Sequence, residues 1–147
     1  MTTTSFIMGA RSSSFLNLGT LNNGTYLASS AYNASATDPW DVVIEVEATP
    51  GTVSGNKQMV VFIQASLDGT NFQTGPTSGT TVTDEPNLTL LGTVPCNTNS
   101  QLQRKMFSVN NTLGYVPAQF KIVIKNDTGA PLASGNVYTA EISGQSN

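Results

Sequence analysis

From Trp40 onward the chain alternates apolar and polar positions with a period of two. In "WDVVIEVEA", Val42, Ile44, Val46 and Ala48 fall on one side, and Glu45 and Glu47 on the other. That is the period of a strand with one face buried and one face wet. It recurs in "AQFKIVIKN" (118–126), where Phe120, Ile122 and Ile124 oppose Lys121, Val123 and Lys125. It recurs again in "NVYTAEIS" (136–143), which predicts Tyr138, Ala140 and Ile142 inside, with Thr139 and Glu141 outside. "KQMVVFIQASL" is different. Met59, Val61, Ile63, Ala65 and Leu67 alternate with Val60, Phe62, Gln64 and Ser66, so both sides carry apolar weight. This predicts a central strand covered on both faces or against a partner. "LTLLGTV" (88–94) and "RKMFSV" (104–109) read as further strands, with a short one at Thr80–Val82. Only "SQLQRKMF" leaves room for a turn of helix.

The corner "SLDGTNF" has its own local logic. Asp68 can fold its carboxylate back on the turn, and Gly69 accepts a positive φ. Phe72 then returns an aromatic to the core, with "NFQT" as the second arm of a hairpin.

Residues 1–38 break the alternation. Arg11 is their only charge before Asp38, and small polar residues separate Phe6-Ile7-Met8, Phe15-Leu16 and Tyr26-Leu27. Such brief apolar patches predict an extended N-terminal arm with the first short strands, docked on its own domain or on a neighbour. Residues 39–147 then form one domain. With an early strand at 15–21 or 25–29 there are about eight strands. The expected fold is all-β: an antiparallel β-sandwich with jelly-roll connections.

Composition adds to this picture. A chain of 147 residues buries about two-thirds of the surface it would expose unfolded, so it needs no disulfide or metal to hold a core. Charged residues make up 10% of it, against roughly 25% in ordinary globular chains. Ser, Thr, Asn and Gly fill the difference, and they favour turns and strand faces. The net charge is −3 and the six basic residues are scattered, so we expect no nucleic-acid partner. No stretch approaches the ~18 apolar residues of a membrane helix, and no membrane partner is expected. The first residues lack a secretory pattern, which predicts synthesis in a cytoplasm. Glu45 and Glu47 could pair across strands with Lys121 and Lys125.

Little of the chain suggests catalysis. It has no His, which removes the commonest general base and the usual zinc ligand. Carboxylate pairs of the glycosidase kind would have to come from Asp38 with Asp41, or Asp84 with Glu85. A calcium site would have to use Asp68 and Asn71 with loop carbonyls. Cys96 is alone, so the chain closes no disulfide of its own. It reads as a small filler at a strand end. We expect no catalytic residue, no cofactor and no metal.

Two resemblances sharpen this reading. "SLDGTNF" resembles the S-x-D-G-x-N-W/F corner of discoidin-like carbohydrate-binding sandwiches and of many phage structural proteins, where it marks a hairpin. More specifically, "LLGTVPCNTNSQLQRKMFSV" and "LGYVPAQFKIVIKNDTGAPLASGNVYTAEI" resemble decoration, or cement, proteins of tailed-bacteriophage virions. The shared pattern is L-G-T-V-P, a polar loop, Arg104-Lys105 with Phe107, Pro117 before a strand, and Asn126-x-Thr128-Gly129 closing it. It covers residues 88–142. The resemblance implies a non-enzymatic protein of the virion surface that binds the major capsid protein in the assembled shell. It also implies a homo-oligomer, dimer or trimer. For capsid or oligomer contact we expect the arm residues Phe6, Ile7, Met8, Arg11 and Phe15, together with Arg104 and Lys105. A carbohydrate- or receptor-binding module is the second reading, with Trp40, Tyr26, Tyr32 and Tyr115 as a sugar platform and Asp68 and Asn71 as hydrogen-bonding groups. A tail-tube or connector part is the third.

Overall fold

The computed structural model describes residues 3–146. Its strands are β1 (Thr4–Met8), β2 (Leu16–Asn17), β3 (Tyr26–Ala28), β4 (Tyr32–Asn33), β5 (Asp41–Pro50), β6 (Gln58–Ser66), β7 (Ser78–Gly79), β8 (Thr89–Pro95), β9 (Gln103–Ser108), β10 (Gln119–Asp127) and β11 (Leu132–Ser146). One short helix, α1, covers Val109–Leu113, and single 3-10 turns cover Ala34–Ala36 and Glu85–Asn87. The fold is a β-sandwich of two antiparallel sheets. The first has the order β1-β11-β5-β9, with β2 also on β11. The second has the order β7-β3-β10-β6-β8, with β4 also on β10.

The core lies where the sequence alternation points. Val42, Ile44, Val46 and Ala48 of β5 meet Met59, Val61 and Ile63 of β6 and Phe120, Ile122 and Ile124 of β10, all shut off from solvent. Full burial of each such side chain stabilises the fold by about 1.5–3 kcal/mol. Cys96 closes this core at the end of β8. The double-sided character of β6 also has a physical cause. A second cluster of Tyr26, Phe62, Leu88 and Val123 sits on the outside of the second sheet. Apolar residues on both faces of β6 and β10 are therefore buried.

Residues 3–38 divide between the sheets. β1 and β2 pair with β11, while β3 and β4 pair with β10. Phe15 packs against the main core, edge-on to Tyr32 at 5.8 Å between ring centres. Tyr32 in turn stacks on Phe120 at 5.1 Å. A buried polar knot ties this segment to the β10–β11 corner. Asn126 is fully buried and donates to the carbonyls of Leu21 (2.8 Å) and Ala130 (2.9 Å), while its Oδ1 accepts from the amide and hydroxyl of Thr128. At Gly129, φ is +88°, and a Cβ there would lie 2.5 Å from the Ser54 carbonyl oxygen. Only glycine fits without displacement.

Several local expectations are corrected. In β11 the faces are exchanged: Val137 and Thr139 point inward opposite Val46 and Ile44, and Tyr138 points outward. A shift of one residue inverts every side chain of a strand. Here Thr139 is admitted to the interior because its amide and hydroxyl both reach Ser12 Oγ, at 3.0 and 3.2 Å. The helix forms at 109–113, not within "SQLQRKMF". Ser108 caps it by accepting from the Asn111 amide at 3.0 Å, and Gly114 ends it at φ +82°. The short strand near 80–82 is instead β7 at 78–79. After the Asp68 corner the return arm is reduced to Phe72, bridged opposite Ser66, and the Gln73 amide, which donates to the Ala65 carbonyl at 2.9 Å; the half-buried Phe72 ring lies under the Lys121 ammonium at 4.4 Å instead of entering the core. Leu67 lies past the end of β6 and is 99% exposed. Glu45 and Glu47 do not meet Lys121 or Lys125, because β5 and β10 belong to different sheets.

Candidate functional site

The outer face of the first sheet gathers residues that lie far apart in sequence. Alternation along β5 and β11 directs Val43, Glu45, Glu47, Tyr138, Ala140 and Ile142 away from the core. β1 adds Phe6 and Met8, which sit opposite Gly144 and Ile142. β9 adds Met106 opposite Glu45 and Arg104 opposite Glu47. One end of this face is apolar, and a shallow cleft of about 120 Å³ opens between Met8, Val43, Met106, Tyr138 and Ala140. Phe6, Met8 and Met106 are each 54–58% exposed. The Phe6 ring lies 4.7 Å from that of Trp40, itself half exposed.

The other end is a charged ladder that neutralises itself. Arg11 donates to Glu45 at 2.7 Å and lies over the Tyr138 ring at 4.0 Å. Arg104 donates to Glu47 through Nη2 (2.7 Å) and Nε (3.1 Å), with Glu45 3.7 Å away. Tyr138 donates its hydroxyl to the other Glu47 oxygen at 3.0 Å. Burial by itself would raise the Glu47 pKa, but the hydrogen bonds from Arg104, Tyr138 and Asn136 outweigh it and leave the carboxyl below its ordinary value. The Tyr138 hydroxyl is pushed up, first by its bond to Glu47 and then by burial. Two Arg and two Glu thus cancel, and the ladder presents fixed hydrogen-bonding groups with no net charge.

Of the contact residues expected from sequence, Phe6, Met8, Arg11 and Arg104 meet on this face. Ile7 is half exposed and alternates to the other side of β1. Phe15 is packed inside. Lys105 turns toward β8, donating to the Thr93 carbonyl at 3.0 Å beside the Phe107 ring. Met106, Tyr138 and Trp40 complete the face. Only strand register brings them there, and register is not written in the local pattern.

The "SLDGTNF" corner is organised around Asp68. Its carboxylate accepts from the amides of Asn71 (2.7 Å) and Thr70 (2.9 Å) and from the Asn71 side chain (2.7 Å). The backbone bonds of Asn71 and Thr70 hold it well below the usual carboxylate range. A cavity of about 530 Å³ lies beside it, lined by Leu67, Phe72, Tyr115 and Pro117 among others. The polar wall is committed to the fold: Gln73 accepts from the Ala65 amide and donates to the Asn87 carbonyl. The aromatics considered for a sugar platform are dispersed. Tyr26 is buried, Tyr32 stacks on Phe120, Trp40 sits by Phe6, and Tyr115 alone of the four lines this cavity.

One carboxylate of each expected pair is engaged in the fold. Asp41 is buried and accepts from the Val42 and Asn110 amides, both at 2.8 Å, and from the Ser108 hydroxyl at 2.5 Å. Glu85 accepts from Lys125 at 2.9 Å and from the Tyr26 hydroxyl. Burial raises the pKa of Glu85, but these two partners outweigh it and lower it overall. Burial pushes the Cys96 thiol up. Among the described residues, no three of His, Cys, Asp and Glu gather as a metal-holding set. No protein-family model matches the chain, and no curated protein matches it.

Proposed function

We propose that this protein is a non-enzymatic structural component of a bacteriophage virion, a decoration or cement protein that binds the outside of the assembled capsid and braces neighbouring capsomers. The observation that carries this reading is the outer face of the first sheet. It sets half-exposed Phe6, Met8 and Met106 beside a rigid, self-neutralised Arg–Glu ladder. Contiguous apolar surface rimmed by polar groups is what protein contact surfaces present. The resemblance of residues 88–142 to decoration proteins supplies the partner, the major capsid protein. Repetition over a shell turns a weak single contact into firm attachment.

Co-sedimentation with assembled capsids tests the reading. The protein should pellet with shells and bind isolated capsid subunits far less. Met8→Asp and Met106→Asp, both at exposed positions, should reduce pelleting about tenfold or more while the β-sheet circular dichroism is retained. Failure to pellet with shells, or equal binding to isolated subunits, overturns it.

A further inference from the structure

We infer that β1 is a self-pairing edge: two copies of the chain join β1 to β1, antiparallel, about a twofold axis through Phe6. This inference does not rest on shell binding, since the purified protein alone tests it.

β1 ends the first sheet, and among the described residues its backbone pairs only with β11. An edge strand offers a row of free N–H and C=O groups, and folded proteins guard such edges with charge, proline, bulges or a covering loop. β1 has none of these guards. Its sequence is TSFIM, its register with β11 runs unbroken from Thr4 to Met8, and Phe6, Ile7 and Met8 are all half exposed. The opposite edge, β9, is guarded by Arg104 and Lys105.

A second copy is the occupant that fits. In an isologous antiparallel pair the central residue meets its own copy and every other residue meets its mirror position, so a charge at the centre is set directly against a like charge and one beside it lies on the diagonal. No charged side chain occurs in residues 1–10. Centred on Phe6, the pairing sets Phe6 against Phe6, Ser5 against Ile7 and Thr4 against Met8, and uses the whole strand. The result is one continuous sheet in the order β9-β5-β11-β1-β1-β11-β5-β9, with both outer faces on the same side. β1 is five residues long, so pairing it edge to edge buries little beyond the two strand backbones and the side chains flanking them. Stable specific interfaces bury more, about 1,200 Å² or above. The dimer is accordingly reversible and concentration-dependent.

Sedimentation velocity from about 1 µM to about 1 mM covers the span in which such contacts associate. The wild type should shift from monomer to dimer across this series. Phe6→Lys, which faces its own copy, and, independently, Ile7→Lys, on the near diagonal, should hold it monomeric at every concentration, each checked for fold by circular dichroism. Met106→Lys, on the same face but toward the far edge, should leave dimerisation unchanged. Phe6→Cys should form an intermolecular disulfide on mild oxidation, because directly opposed positions lie within disulfide reach. The native Cys96 is buried and stays out of that reaction. A wild type that is monomeric throughout, a dimer that survives whichever charge variant folds, or a dimer in which Phe6→Cys fails to cross-link overturns the inference.

Discussion

Arg104 grips Glu47 across the β9–β5 pair, its Nη2 and Nε lying 2.7 and 3.1 Å from one carboxylate oxygen. The bond, with help from Tyr138 and Asn136, leaves the Glu47 pKa below its ordinary 4.5. A carboxyl depressed in the folded state contributes stability that is fully present above its unfolded value and is lost as pH falls through the folded value. Urea midpoints measured on acidification should therefore decline below about pH 4.5. Glu47→Gln should flatten that decline and lower the midpoint at neutral pH.

Asn126→Ala removes two donors and an acceptor from the knot at the β10–β11 corner: the buried Thr128 amide loses its acceptor, and the Leu21 and Ala130 carbonyls each keep only one donor, from the Leu132 amide and the Thr128 hydroxyl. Each buried polar group left without a partner costs about 1–3 kcal/mol. With the Thr128 amide so left, urea unfolding of the variant should show a loss of about 1–3 kcal/mol.

The exchanged faces of β11 predict a contrast between neighbours. Val137 is fully buried, so Val137→Ala should cost about 2 kcal/mol. Ile142→Ala, on the outer face, should cost less than about 1 kcal/mol despite removing more side chain. Equal losses in chemical denaturation would contradict the register of β11 on β5.

Asp68→Ala should loosen the corner without loosening the sandwich. The Thr70 and Asn71 amides lose their acceptor and should exchange with deuterium faster, while β6 and β10 keep their protection. Because the wild-type carboxyl is held so low, the corner should keep its protection well below pH 4, where free carboxylates are protonated.

The sandwich was legible wherever one face is apolar and the other polar. β5 and β10 declare themselves through Val42, Ile44 and Val46 and through Phe120, Ile122 and Ile124. The doubly apolar β6 correctly announced cover on both sides, which the Tyr26–Leu88 cluster provides. β11 misled because its buried face carries Thr139, whose cost is met by Ser12, 127 positions away. Its exposed face carries Tyr138, which looks like a core residue until Glu47 and Arg11 are placed beside it. Local pattern reports how apolar a side chain is. It does not report which distant partner satisfies it. The outer face was half legible for the same reason: Phe6, Met8, Arg11 and Arg104 stood out singly, but only the β1–β11–β5–β9 order joins them.

The pairing of β1 and β2 with β11 also sets an order of events during synthesis. The strand that receives β1 and β2 is made more than a hundred residues after them. Until β11 emerges from the ribosome, Phe6, Ile7, Met8 and Phe15 have no sheet to join. The final sheet closes over more than a hundred residues of separation, a connectivity that folds slowly. During that interval β1 and β2 wait with their backbone groups unpaired, open to any other strand edge that meets them first.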